Sequence, residues 1–250
     1  MLSAQSVAIV QATLPVVRDH ARAITGVFYQ NMFTEHPELK NVFNMSHQAA
    51  GDQPQALAAA VVAYAANLDN PAALEPVLSR IANRHASLGI TPAQYSIVGR
   101  HLLGAVKQVL GEAVTPDVQA AWNEAYWLLA SELIALEARL YTEQGVYPEH
   151  LWRAWSVAAR VQENKDTVSF YIIPEDDEEA PYFFPGQYVS VMFNDEQGLR
   201  QIRQYSLSDA PGADCWRITV KREAAHDGKP AGKVSNFLVD GVQIGDTLVL

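Results

Sequence analysis

The sequence has 250 residues, of which 49% are hydrophobic and 18% are charged, and its formal net charge is -10. This composition supplies enough apolar material for one or two packed domains and excludes an intrinsically disordered chain. The acidic balance argues against nucleic-acid partners, because phosphate backbones attract basic proteins.

Cys215 is the single cysteine and cannot form an intrachain disulfide. The sequence shows no basic, apolar leader and no apolar run of membrane-spanning length. We therefore expect a cytoplasmic protein without stable membrane association.

Helical periodicity fills the first part of the chain. Ser3 is placed to cap a first helix. The predicted helices cover residues 3–23, 23–34, 53–68 and 74–88, and Gly89 closes the last of these.

Two further helices carry explicit start signals. Thr91-Pro92-Ala93-Gln94 combines a capping box with a proline at the first helical position, and that helix should end at Gly111. Thr115-Pro116-Asp117 begins a last helix in the same way. Its single apolar stripe consists of Trp122, Tyr126, Leu129, Leu133, Leu136 and Leu140. The sequence therefore predicts a large, all-helical first domain.

The pattern becomes that of β-strands after Gly145. Strands are predicted over 155–173 around a polar turn at 163–166, over 188–193, over 216–221 and over 245–250. Several short strands with frequent turns favour an antiparallel barrel. The acidic run 175–179 is most simply a solvated loop. The chain ends in a predicted strand, so we expect the barrel to be truncated and the sequence to be a fragment.

Histidines are the only candidate metal ligands that periodicity suggests. His85 and His101 lie on apolar helix faces, where a histidine is more often a core residue than an iron ligand, and periodicity does not choose between them. The remaining five histidines are predicted at surface or turn positions. They are His20, His36, His47, His150 and His226.

Ordered runs across the first 145 residues resemble the globin domain of bacterial and yeast flavohaemoglobins. The matching runs are Phe28–Phe33, Pro37–Met45, Gly51–Gln53 leading to Leu57, His85–Gly89 and Gln94–Leu103. The resemblance implies a globin fold that holds haem b, with His85 as the proximal iron ligand.

The resemblance also implies roles for residues on both faces of the haem. Tyr95 and Glu137 would hydrogen-bond toward His85 and raise electron donation to the iron; the alternative is a core tyrosine and a surface glutamate. Tyr29 would donate a hydrogen bond to dioxygen beside Gln53. Phe43 would pack on the porphyrin, Leu57 would wall the pocket, and Arg84 replaces a lysine that many relatives carry.

A second group of motifs resembles the ferredoxin–NADP reductase superfamily and implies FAD. Arg203-Gln204-Tyr205-Ser206 matches its RxYS motif, with Arg203 toward the pyrophosphate and Tyr205 and Ser206 toward the flavin ring. Pro185-Gly186-Gln187-Tyr188 precedes it. Gly232-Lys233-Val234-Ser235 follows it and would begin a helix that offers its N–H groups to phosphate; the alternative is a loop with a helix cap.

The combined resemblance implies a globin domain at 1–142, a linker at 143–150 and an FAD-binding barrel at 151–250. It implies a nitric oxide dioxygenase, in which electrons pass from NAD(P)H through FAD to the haem, and dioxygen and nitric oxide give nitrate. No G-x-G-x-x-G cradle is present, so NAD(P)H would require a further domain. Carbon monoxide and lipid are other candidate ligands of the distal pocket. An oxygen-binding or sensing globin and a haem-flavin reductase of peroxides or lipids remain alternatives.

Overall fold

The computed structural model describes residues 2–43, 52–68, 70–147, 150–176, 178–195, 198–225 and 230–250, the side chains of 52–54 and 71 excepted. The chain divides into two units, Met1–Val146 and Tyr147–Leu250, each with its own hydrophobic core. The first unit is helical and the second is built on a sheet, as the sequence predicts. None of the described helices is both long and apolar enough to cross a membrane.

The described part of the first unit is formed by helices that share one core. They are α1 (Ala4–Asp19), α2 (Ala21–Glu35), α3 (Asp52–Ala66), α4 (Glu75–Ala86), α5 (Pro92–Leu110) and α6 (Pro116–Glu143), with 3-10 turns at Pro37–Asn41, Pro71–Leu74 and Gly111–Ala113. The predicted stripe of α6 is confirmed. Trp122 and Leu133 are buried, and the other four members pack against the core.

Local capping fixes three of the helix starts. The Ser3 hydroxyl accepts the N–H of Ser6 at 3.0 Å. At the start of α5, the predicted capping box of Thr91 and Gln94 is present, and the N–H of Thr91 donates to Oε1 of Gln94 at 2.9 Å. The Thr115 hydroxyl accepts the N–H of Val118 at 3.3 Å and starts α6.

The predicted boundary between the first two helices is wrong. The chain bends at His20 rather than at Ala23, so α1 ends at Asp19 and α2 begins at Ala21. Neither proline nor glycine marks this bend. The buried positions Val17 and Ile24 lie seven residues apart, a spacing that one uninterrupted helix would also show. The predicted bounds of α3 and α4 differ from the observed ones by at most two residues.

The second unit contains one antiparallel sheet and one described helix. Its elements are β1 (Ala154–Asn164), β2 (Thr167–Pro174), β3 (Tyr188–Asn194), β4 (Arg200–Ser206), β5 (Trp216–Lys221), α7 (Lys233–Gly241) and β6 (Thr247–Val249). The strand order is β4-β3-β6-β1-β2-β5. Alternate residues of β2 and β5 face the core, because Phe170, Ile172, Ile218 and Val220 are completely buried.

The predicted barrel is only partly closed. The edge strands β4 and β5 are linked by a single bridge between Leu207 and Ile218, beyond the end of the β4 ladder. The antiparallel arrangement is confirmed, and the turn between β1 and β2 falls inside the predicted segment, since Asn164 pairs with Thr167.

Candidate functional site

Three helices of the first unit bring His85, Tyr95 and Glu137 together. Nδ1 of His85, on α4, lies 2.8 Å from the Tyr95 hydroxyl of α5 and 2.9 Å from Oε1 of Glu137 on α6. The Tyr95 hydroxyl donates to the same carboxylate oxygen at 2.5 Å. Glu137 and Tyr95 are buried, whereas the His85 side chain is 31% exposed. The alternative of Glu137 as a surface residue is therefore wrong.

Two further tyrosines hold this group in place. The Tyr126 hydroxyl donates to the main-chain oxygen of Tyr95 at 2.5 Å, and the Tyr141 hydroxyl donates to that of Ala86 at 3.1 Å. Tyr126 can lie across α5 because residue 99 is glycine. A Cβ atom at Gly99 would stand 2.3 Å from Cε1 of the Tyr126 ring.

The environment keeps the Tyr95 phenol protonated. Burial raises the pKa of Tyr95, and its hydrogen bond to Glu137 raises it further. A protonated phenol can only be the donor toward Glu137, which leaves the carboxylate oxygen as the common acceptor. His85 Nδ1 is then best satisfied as an N–H donor to that oxygen.

The same arrangement leaves Nε2 of His85 for another ligand. Both hydrogen bonds of the His85 imidazole fall on Nδ1, and Nε2 makes none with the residues that the structure describes. An imidazole whose Nδ1–H is held by a carboxylate has its tautomer and ring orientation fixed for metal binding through Nε2. These residues therefore fit an iron porphyrin.

An aromatic cluster accounts for part of the predicted distal side. Tyr29 is 8% exposed, and its ring lies 5.7 Å from that of Phe33 and 5.8 Å from that of Phe43. Leu57 is half-buried and packs against the same core, where it helps to line an apolar cavity together with Ile24. The structure thus brings Tyr29 and Phe43 into contact.

Two other residues predicted on the haem side, Gln53 and Arg84, stay predictions. The Gln53 side chain lies outside the described residues. The side chain of Arg84 is exposed, and its main-chain oxygen accepts a hydrogen bond from Ser87.

The second histidine candidate, His101, lies in a different setting. It is 6% exposed on α5, and its ring lies 5.5 Å from the ring of His36. His36 does occupy the predicted turn after α2, but most of its side chain is covered, since only 22% is exposed. No carboxylate–phenol pair of the kind beside His85 accompanies His101 among the described residues.

The predicted flavin motif occupies two neighbouring strands of the second unit. Tyr188 of β3 pairs with Ser206 of β4, and Val191 pairs with Arg203. Arg203 and Tyr205 therefore project from one face of the sheet, while Gln204 and Ser206 project from the other. Gln204 donates to the Ser190 hydroxyl at 3.4 Å. Tyr188 and Ser206 are exposed, and burial raises the pKa of Tyr205 to about 12.

The run at Gly232 begins a helix, as the sequence predicts. Gly232 is the N-cap of α7; it contributes no side-chain hydrogen bond, and no acidic residue stands in the first turn. Positive partial charge at this end is thus available to an anion. A Cβ at Gly232 would lie 2.8 Å from Cβ of Glu223, so only glycine lets the helix start this close to the chain after β5.

The other residues of that run have structural contacts. Val234 is buried in the core, and the Ser235 hydroxyl accepts the N–H of Glu223 at 3.3 Å. The ammonium group of Lys233 is 3.0 Å from Oδ2 of Asp195, which ties the first turn of α7 to the end of β3.

Several positioning residues were missed by sequence reasoning. Tyr126 was identified only as part of an apolar stripe, and Gly99 only as part of a resembling run. Asp195, whose side chain is 8% exposed, was not identified at all. A buried aspartate needs a partner, but its partner Lys233 lies 38 residues away, so no local pattern could reveal the pair.

Comparison with known proteins finds similarity to globins and to flavohaemoproteins. Residues 26–133 match the Globin family model. The flavohemoprotein of Chromobacterium violaceum is 51% identical over the whole of this chain, which spans 63% of that relative's length. The crystal structure of flavohemoglobin from Malassezia yamatoensis with bound FAD and heme matches 99% of this chain and 63% of that one, at 35% identity and a TM-score of 0.85. A structure of a bacterial globin from Campylobacter jejuni is 33% identical and has a TM-score of 0.53. The match covers 56% of this chain and 99% of that globin.

Proposed function

We propose that this chain, which belongs to the flavohaemoprotein family, forms the haem- and FAD-binding part of a cytoplasmic nitric oxide dioxygenase. Its substrates would be dioxygen and nitric oxide, and its product nitrate. Electrons would come from NAD(P)H. This chain spans 63% of the length of the Chromobacterium violaceum relative, and we propose that a domain in the remaining part of such a protein binds NAD(P)H.

The observation that carries the proposal is the hydrogen-bonded group of His85, Tyr95 and Glu137. A buried carboxylate that accepts the Nδ1–H of a proximal histidine increases the electron density that Nε2 donates to iron. Strong donation favours activation of dioxygen over its reversible storage. An oxygen-binding globin has no need of such a group, so the geometry favours the enzyme.

The distal residues of this chain supply orientation and exclude water. Tyr29 offers a hydroxyl donor beside the rings of Phe33 and Phe43. A donor in an apolar setting holds a partially negative ligand more strongly than the same donor does in water.

In the second unit, charge and backbone dipoles are arranged for a dinucleotide. Arg203 carries a planar guanidinium suited to two phosphate oxygens, and α7 begins at Gly232 with no side-chain cap and no acidic residue in its first turn. Tyr205 packs against the core of the unit and can present its ring to a flavin. When both groups are bound, FAD and haem supply the redox chemistry, while the chain positions and tunes them.

The proposal is tested first by absorption spectroscopy of the purified 250-residue chain. We expect a haem band that shifts with carbon monoxide after reduction and is lost in His85→Ala, together with flavin absorption that Arg203→Gln weakens. Arg200→Gln, on the same strand, serves as the matched control. A His85→Ala chain with an unchanged haem spectrum would remove the proposed iron ligand.

A second experiment separates the enzyme from a storage globin. Anaerobic photoreduction of the bound flavin should be followed by reduction of the haem in the same chain. If the flavin is reduced and the haem stays ferric, the enzymatic proposal fails in favour of an oxygen-binding protein. Comparison of nitrate yield with peroxide turnover then tests the reductase alternative.

A further inference from the structure

A third cluster of polar side chains, outside the two sites above, lies where the end of α2 meets α5. Glu35 is the last residue of α2, His36 is its C-cap, and His101 lies in the middle of α5. One ligand atom from each of the three lies within 4.8 Å of the other two. Nε2 of His101 is 3.6 Å from Oε2 of Glu35.

The buried nitrogen of His101 has no hydrogen-bond partner among the residues that the structure describes. His101 is 6% exposed, and its Nε2 atom is fully covered yet makes no hydrogen bond. Buried polar atoms are nearly always satisfied, because leaving one without a partner costs free energy. The nitrogen faces the Glu35 carboxylate across a gap too long for a hydrogen bond.

We propose that Glu35, His36 and His101 bind a divalent transition metal ion of the zinc class. Imidazole nitrogens and carboxylate oxygens are ligands of Zn²⁺ at about 2.0–2.2 Å, so neighbouring ligands in a tetrahedral complex lie roughly 3.3–3.6 Å apart. The His101–Glu35 separation of 3.6 Å already meets this requirement. All three ligand atoms lie within 4.8 Å of one another. The Glu35 side chain is 62% exposed and can adjust around a bound ion.

One cation, Arg100, and a second carboxylate, Glu38, lie beside the cluster. Nε2 of His36 accepts a hydrogen bond from Arg100 at 2.9 Å, and its Nδ1 lies 3.1 Å from Glu38. The His101 ring is buried beside the His36 ring, and a metal binds an imidazole in its neutral form. Arg100 is the one cation in contact with the described ligands, and it competes with a metal for His36.

Four matched variants test the proposal. The haem-loaded chain is dialysed against Zn²⁺ with a competing chelator, because occupied His85 then cannot bind the added ion. We expect one tightly bound Zn²⁺ per chain. Since loss of an outer-shell partner alone weakens metal sites by about 10–100-fold, His36→Gln and His101→Gln should each weaken binding at least roughly 10-fold. Arg100→Gln should strengthen it, and His20→Gln, at an exposed histidine, should leave it unchanged.

Two results would overturn the proposal. One is that the unaltered chain binds Zn²⁺ no more tightly than His36→Gln, a variant at a partly exposed position that does not open the core. The other is that Arg100→Gln and His20→Gln change the affinity equally, since the ion would then be held by scattered surface histidines.

Discussion

Replacing Glu137 by glutamine tests whether its carboxylate tunes His85, the proposed proximal histidine. The change keeps the size of the side chain and removes its charge at a position that is 3% exposed and 2.9 Å from Nδ1 of His85. Ferric iron draws more electron density from an imidazole than ferrous iron does. The Nδ1–H bond to a carboxylate therefore stabilises the ferric state, and its loss should raise the reduction potential of the haem.

The size of the effect follows from the type of hydrogen bond. A bond to a charged acceptor contributes about 1 kcal/mol more than one to a neutral acceptor. If all of that difference applied to the ferric state, the potential of this one-electron couple would rise by about 40 mV, so we expect a rise of about 20–40 mV. The measurement is a spectroelectrochemical titration of the haem-loaded chain.

Two variants make the result interpretable. Tyr95→Phe removes one hydroxyl and keeps the Glu137 carboxylate, so its shift should be smaller. Glu132→Gln removes a charge from an exposed position of the same helix and should leave the potential unchanged. A Glu137→Gln potential equal to or below that of the unaltered chain would refute the assigned tuning role.

Three other variants test the packing behind this group and the residue proposed to face it across the haem. Gly99→Ala should lower the free energy of unfolding by about 1–2 kcal/mol, because its Cβ would overlap the Tyr126 ring. Gly104→Ala, on the same helix with open space at its Cβ, should instead raise the free energy of unfolding by about 0.5–1 kcal/mol. Thermal unfolding measures both variants, and equal effects would contradict the steric argument. Tyr29→Phe should speed dioxygen dissociation roughly 10-fold through loss of about 1.4 kcal/mol of hydrogen bonding. Stopped-flow displacement by carbon monoxide measures this rate, and an unchanged rate would remove the role of Tyr29.

The sequence predicts features formed by residues close together in the chain. It does not predict features that depend on contacts between distant residues. The capping box at Thr91 and the alternation of β2 and β5 involve neighbours in the chain, so patterns predict them. The bend at His20 depends on how α1 and α2 pack against other helices, and no local residue marks it. Periodicity alone could not choose between His85 and His101, since both lie on apolar faces of helices. Only the partners beyond each helix distinguish them.

The two cofactor sites differ in the same respect. Most of the flavin motif lies on consecutive residues of β4, so the strand itself sets the spacing of Arg203, Tyr205 and Ser206. The proximal group takes one residue from each of three helices, over a separation of 52 residues between His85 and Glu137. Its geometry is therefore a property of tertiary packing, which makes the electronic character of His85 depend on positions such as Gly99 that never contact it. We consequently expect a small change in helix packing to alter the haem chemistry, whereas the spacing of the flavin motif along β4 should be less sensitive to packing.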